Sequence, residues 1–158
     1  MTHEGYKNMF CNWTFRIRET VKLGYQCIAQ VKHYAKNVWG YTIQSFWWTA
    51  YAWWLNKKTT FRWKKFVEWF WVVPVGSIVI FKPFSSVEMK KPWPWKRKVS
   101  QFGKEWHVAI VDYIDNDWVI RVIEQNWATG DWDGKWWDEV RVRWYWGRSA
   151  VAGFILEK

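Results

Sequence analysis

Cysteine and long apolar segments are scarce in this 158-residue chain. Two cysteines are too few for a disulfide scaffold, so a fold held by several bridges is excluded. No apolar run approaches the roughly 18 residues of a membrane helix, because Glu68 and Pro74 interrupt the best candidate, Phe66 to Phe81. The polar start, Met1 to Asn8, lacks the apolar segment of a secretory signal. We therefore expect neither a membrane span nor a signal peptide.

Acidic residues are also few, with 14 Asp and Glu against 24 Lys and Arg, which gives a net charge of +10. Such a charge draws a protein towards polyanions, whether nucleic acid, anionic membrane or an acidic cell wall. Solvated loops that keep the protein soluble account for it equally well, so charge alone selects no partner. The length and the 50% hydrophobic content indicate one folded domain over residues 1–158.

Apolar periodicity predicts helices in the first part of the chain. Apolar residues from Cys27 to Val38 recur at helical spacing, and Gly40 follows as a stop signal. A weaker pattern predicts a helix from Asn12 or Thr14 to Leu23, which makes residues 1–23 an N-terminal helical extension. Lys57 to Thr60 is expected to be a loop.

β-branched runs predict strands in the second part. A turn at Pro74–Ser77 precedes a strand at Ile78–Phe81, and further strands are expected at Val140–Trp144 and Val151–Leu156. The Pro- and Lys-rich segment from Pro83 to Lys104 is expected to be a loop. Helices followed by an antiparallel meander indicate an α+β domain with a sheet of about five to six strands.

A hairpin signal spans Trp106 to Asn126, with Asp115-Asn116 as its two-residue loop. This register sets His107 opposite Glu124, within hydrogen-bonding reach, and Asn126 on the same face. An ordinary charged cross-strand pair explains the same pattern, and a one-residue slip would place the two on opposite faces.

Cys27 lies in the first turn of its helix, where the positive end of the helix dipole favours the reactive thiolate. A small core hydrophobe is the alternative, since free cysteine is often buried. His33 lies on another side of the same helix, and His3 lies in a terminus expected to be mobile. Cys11 belongs to no motif, and we interpret it as structural.

Five segments together resemble a known family: Gly24–Cys27, Pro74–Phe81, Trp106–Val111, Val122–Asn126 and Gly153–Ile155. They are similar to the CHAP family of cysteine, histidine-dependent amidohydrolases and peptidases, which have a compact papain-like fold. The resemblance extends from about Gly24 to the end of the chain. It departs from the family at Ser77, where an acidic residue is common, and at Trp106, where glycine is common.

The resemblance implies a catalytic set. Cys27 would be the nucleophile, His107 the base and Glu124 the residue that orients the imidazole. Gln26 and the backbone N–H of Cys27 would hold the oxyanion, and Asn126 would support the site. Some family members bind calcium through an acidic loop near the cysteine. The chain shows no such loop, so we expect neither metal nor cofactor.

The family also implies a substrate, namely an amide bond of bacterial peptidoglycan, cut by a monomeric endolysin or a delivered toxin. Such an enzyme is made in the cytoplasm and acts at the wall after release or delivery. One alternative is an amidase of a soluble amide such as a glutathione–polyamine conjugate. Another is a non-catalytic basic module that stacks single-stranded nucleic acid. Because no RNA-recognition or cold-shock signature is present, we expect no nucleic-acid partner.

Tryptophan is unusually abundant, at 19 residues against nine glycines. Several stand where a turn favours glycine, such as Trp132, Trp136 and Trp137. One hypothesis is a variant genetic code in which some UGA codons mean glycine. The alternative is a tryptophan-rich protein with stacking surfaces, and the codons at these positions separate the two.

Overall fold

The fold is given by a computed structural model that describes ten stretches of the chain. They are residues 1–10, 27–43, 50–68, 73–82, 86–90, 97–101, 107–114, 119–123, 137–141 and 151–158. The described helices are α1 (His3–Phe10), α2 (Cys27–Tyr34), α3 (Ala50–Leu55) and α4 (Lys57–Thr60). The described strands are β1 (Lys65–Val67), β2 (Ile78–Phe81), β3 (Ser86–Lys90), β4 (Arg97–Gln101), β5 (His107–Ile114), β6 (Val119–Ile123), β7 (Trp137–Arg141) and β8 (Val151–Leu156).

The strands form one sheet in the order β1-β8-β2-β5-β6-β7-β3-β4, and every described pairing is antiparallel. The α+β class is therefore confirmed. The sheet has eight described strands, more than the five or six expected. The segment expected to be one long loop, Pro83 to Lys104, contains β3 and β4, which pair with each other.

The helix predicted from Cys27 is confirmed. α2 continues into a π-helical turn, Ala35–Trp39, and ends at Gly40. Gly40 adopts a left-handed φ of 64°, and its N–H donates to the carbonyl of Ala35. Glycine is favoured there because it has no Cβ to clash in this conformation. The helix predicted over Asn12–Leu23 lies outside the described residues.

The core consists of two clusters, and strand alternation explains the division. Ile78 and Ile80 of β2 belong to the first cluster, whereas Val79 and Phe81 belong to the second. All four are fully buried, so β2 is covered on both faces. The helices contribute to the first cluster through Ile28, Val31, Tyr34, Ala35, Ala50 and Trp53.

The β5–β6 hairpin is confirmed, but its predicted register is wrong. Ile114 pairs with Ile120 rather than with Asp117, and the register shifts between Val111 and Tyr113. The reason is the length of the connection, because β6 begins at Val119 and residues 115–118 separate the strands. The direct opposition of His107 and Glu124 therefore does not follow from the observed pairing.

Of the remaining local predictions, some are confirmed and others are wrong. The turn before β2 is confirmed by a 3.2 Å hydrogen bond from the Ser77 N–H to the Pro74 carbonyl. The strand at Val151–Leu156 is confirmed, whereas the strand expected at Val140–Trp144 begins earlier, as β7. Lys57–Thr60 is a short helix rather than a loop. None of the helices in the described ranges is long and apolar enough to cross a bilayer.

Candidate active site

Cys27 is the first residue of α2, where the sequence places it. Its thiol is free and half-buried, and it packs against the first core cluster. The first turn of α2 contains no acidic residue that would repel a thiolate. The position therefore combines partial exposure with the positive end of a helix dipole, which favours an anion.

His107 is the first residue of β5 and is 5% exposed. Its backbone partner across the sheet is Phe81, and the two rings stack with centroids 6.2 Å apart. Directly paired residues point to the same face of a sheet. His107 therefore shares its face with Phe81 and with Ala109, which belong to the second cluster.

The two elements that carry these residues are in contact, because α2 packs on β5. The contact runs through residues of the first cluster, among them Ile28, Val31, Val108 and Ile110. The described contacts thus assign the Cys27 thiol to the first cluster and the His107 ring to the second. They bring the elements together but do not join the two side chains, so the catalytic pair stays a prediction.

The other predicted members of the set lie outside the described residues. These are Gln26, Glu124 and Asn126, together with Cys11. The β5–β6 pairs end at Ile110 and Ile123, immediately before Glu124. The orienting role of Glu124 and the supporting roles of Gln26 and Asn126 therefore also stay predictions.

A second polar cluster, which the sequence did not predict, forms around Asp112. His3 lies 2.8 Å from one carboxylate oxygen through Nε2, and its Nδ1 lies 2.7 Å from the Tyr34 hydroxyl. Lys7 and Arg121 form ion pairs with the same carboxylate at 2.9 and 2.6 Å. The N-terminus is therefore helical and docked through His3, and the expectation that it is mobile is wrong. The signal in the sequence that could have revealed this cluster is Asp112, an acidic residue inside the apolar run of β5.

Charge explains why Asp112 stays ionised although its side chain is only 2% exposed. Burial by itself would raise the pKa of the carboxyl. Hydrogen bonds from His3 and Lys7 and the nearby charge of Arg121 outweigh it and hold that pKa well below its ordinary value. The same carboxylate raises the pKa of Lys7 against the opposing effect of that residue's burial.

A metal site is the other chemistry to consider here, because donor atoms of His3, Glu4 and Asp112 lie within 4.8 Å of one another. The Lys7 ammonium, however, contacts Glu4 at 3.3 Å and Asp112 at 2.9 Å. A cation among these donors would meet that ammonium and the Arg121 guanidinium. The cluster is therefore an ion-pair network that fastens α1 to the sheet.

His33 has a structural environment as well. Its Nδ1 lies 2.9 Å from the hydroxyl of the buried Tyr6, which joins α2 to α1. Burial, and secondly the charge of Lys36, lowers the pKa of the imidazole. His33 therefore favours the neutral form, which suits a hydrogen bond in a packed interface.

Known proteins add no further assignment. No protein-family model, curated protein or solved structure matches this chain.

Proposed function

We propose that this chain is a cysteine-dependent amidohydrolase that cuts an amide bond of bacterial peptidoglycan through a thioester intermediate. The observation that supports the proposal is the packing of α2 on β5. α2 begins at the proposed nucleophile, Cys27, and β5 begins at the proposed base, His107. A nucleophile at a helix start and a base at the start of the neighbouring strand are the parts that such a reaction needs.

The proposed reaction has two steps. His107 takes the thiol proton, and the thiolate attacks the amide carbonyl while the backbone N–H of Cys27, helped by Gln26, stabilises the oxyanion. His107 then protonates the leaving amine, and water hydrolyses the thioester with His107 again as base. Glu124 orients the imidazole and stabilises its protonated form, with Asn126 as a supporting residue.

This reaction has one strict geometric requirement. The His107 imidazole must come within about 3–4 Å of the Cys27 sulfur, whereas its ring stacks on Phe81. His107 is the first residue of β5, so its side chain lies at the start of that strand. The proposal therefore requires the ring to turn from Phe81 towards α2 at that end.

The first test removes the nucleophile. We expect Cys27→Ala to abolish the clearing of purified cell walls while its circular dichroism and urea midpoint stay close to those of the parent. Cys11→Ala is the matched control, and it should retain lysis because Cys11 has no place in the proposed chemistry. Unchanged lysis by Cys27→Ala would refute the assignment, and mass spectrometry of released fragments would name the bond that is cut.

The second test asks whether His107 reaches the thiol. A thiolate–imidazolium pair reacts with iodoacetamide at neutral pH faster than an isolated thiol, of which only a few per cent is ionised. In a Cys11→Ala background, we expect His107→Ala to slow alkylation of Cys27 by about tenfold or more. Equal rates would show that the ring stays against Phe81, and the pairing would be wrong.

A further inference from the structure

The turn that follows α4 places a tryptophan on a backbone that suits glycine. The Lys64 N–H donates to the Phe61 carbonyl at 3.1 Å and closes a four-residue turn in which Trp63 is third. Trp63 has a φ of +68°. A positive φ at the third position characterises type II and type I′ turns, where glycine, or less often asparagine, is required.

No packing offsets this conformation. The Trp63 side chain is 97% exposed, the highest value among the exposed large hydrophobic residues of the described ranges. The other described residues with a positive φ are Gly40 and Gly76, both glycines. For a bulky residue such a φ is a genuine outlier, because Cβ approaches the neighbouring carbonyl oxygen. Because the Trp63 indole is almost fully exposed, its contacts are too few to offset the cost of this backbone conformation.

Trp53 shows the opposite environment, ten positions earlier. It lies inside α3, is fully buried, and packs edge-to-face on Phe61 with centroids 5.3 Å apart. Glycine at this site would leave a large cavity and would weaken the helix. The described structure therefore contains one tryptophan that the core requires and another at a position that requires glycine.

We propose that position 63 is specified by a UGA codon that the source organism reads as glycine, whereas position 53 is a true tryptophan specified by UGG. The excess of 19 tryptophans over nine glycines in the whole chain fits such a reassignment. The inference is independent of the proposed function, since it rests on backbone conformation and burial. It also removes the exposed indole of the turn from any account of substrate stacking.

Stability measurements test the conformational half of the proposal. Trp63→Gly relieves the strained φ, and Trp63→Ala removes the same indole but keeps a Cβ. We expect Trp63→Gly to have a higher urea midpoint than both the parent and Trp63→Ala, with a folding equilibrium constant about fivefold above that of the alanine variant. Trp53→Gly, the matched control, should lower the midpoint strongly. A glycine variant no more stable than the alanine variant would overturn the proposal.

The coding half is tested on the gene and on protein isolated from its own source. We expect UGA at codon 63 and UGG at codon 53. Digestion with a protease that cuts only after lysine should release residues 59–64 with glycine at position 63, and the fragment masses of the peptide of residues 37–57 should place tryptophan at position 53. UGG at codon 63, or tryptophan in the native peptide, would overturn the proposal.

Discussion

At the scale of single residues, Asp112 connects elements that lie far apart along the chain. Its carboxylate binds His3 and Lys7 of α1 and Arg121 of β6, and His3 in turn contacts Tyr34 of α2. The carboxylate is buried, so removing its charge leaves several cationic groups without their common partner. The attachment of the N-terminal helix to the sheet therefore depends on this side chain.

We expect Asp112→Asn to lower the free energy of unfolding at neutral pH by about 2 kcal/mol, the size of a hydrogen-bonded charged contact. Because the pKa of Asp112 is lower in the folded protein than in the unfolded chain, its contribution is complete above the unfolded value of about 4. It is lost as the pH falls below that value. Urea midpoints of the parent and the variant should therefore converge on acidification.

Glu4→Gln is the control for this experiment, since the Glu4 side chain is largely exposed and its described ion pair is with Lys7. We expect it to change the free energy of unfolding by less than about 0.5 kcal/mol, as exposed ion pairs commonly do. A gap between the parent and Asp112→Asn that stays constant down to about pH 2 would contradict the assignment.

The Asp112 network shows which residues a single sequence does not reveal. His3 and Asp112 are 109 positions apart, and no local pattern connects them. The positions of Cys27 and His107 were predictable to the residue or nearly so, because a helix start and a strand start have local signals. The orientation of His107 was not, since it depends on which face of the sheet receives the helices.

At the scale of elements, Gly40 and Gly76 both have a positive φ but differ in the space around a Cβ added to them. Gly40 ends the helical segment with a φ of 64°, and nothing lies within 4 Å of a Cβ added there. Gly76 turns into β2 with a φ of 88°, and an added Cβ would lie 2.6 Å from the Tyr34 hydroxyl. That hydroxyl is the partner of His3, so a clash at Gly76 would reach the Asp112 network.

We expect Gly40→Ala to cost about 1 kcal/mol, the price of the left-handed conformation alone. Gly76→Ala should cost about 3 kcal/mol, because overpacking against a buried tyrosine adds to the same conformational cost. Chemical denaturation of both variants provides the comparison. Equal losses would show that the Tyr34 side chain moves aside freely, and the network would then be less rigid than its distances indicate.

Sequence patterns predicted the elements whose own residues determine them. α2 and the strands β2 and β8 were predictable, since helical periodicity and short apolar runs are strong signals. The β3–β4 hairpin was missed because proline and lysine are typical of loops. The β5–β6 register was wrong because it depends on the length of the connection and on an irregularity between Val111 and Tyr113.

At the scale of the whole molecule, charge and fold have separate roles. The two core clusters are apolar, and their buried strand residues come from β2, β5, β6 and β8. The net charge of +10 acts over longer distances and attracts polyanions in general. The net charge can be calculated from the composition, whereas the burial of both faces of β2 depends on the tertiary fold.

The salt dependence of activity distinguishes the peptidoglycan proposal from hydrolysis of a soluble amide. If the substrate is an anionic wall, raising the salt from about 0.05 M to about 0.5 M should reduce both binding and lysis several-fold, because screening shortens the reach of exposed charges. Cys27→Ala should sediment with walls to the same extent as the parent and respond to salt in the same way, although it does not lyse them. Hydrolysis of a small glutathione–polyamine conjugate, by contrast, should depend little on salt. Release from that conjugate without wall lysis would therefore favour the soluble substrate, since the charge would then serve solubility rather than recognition.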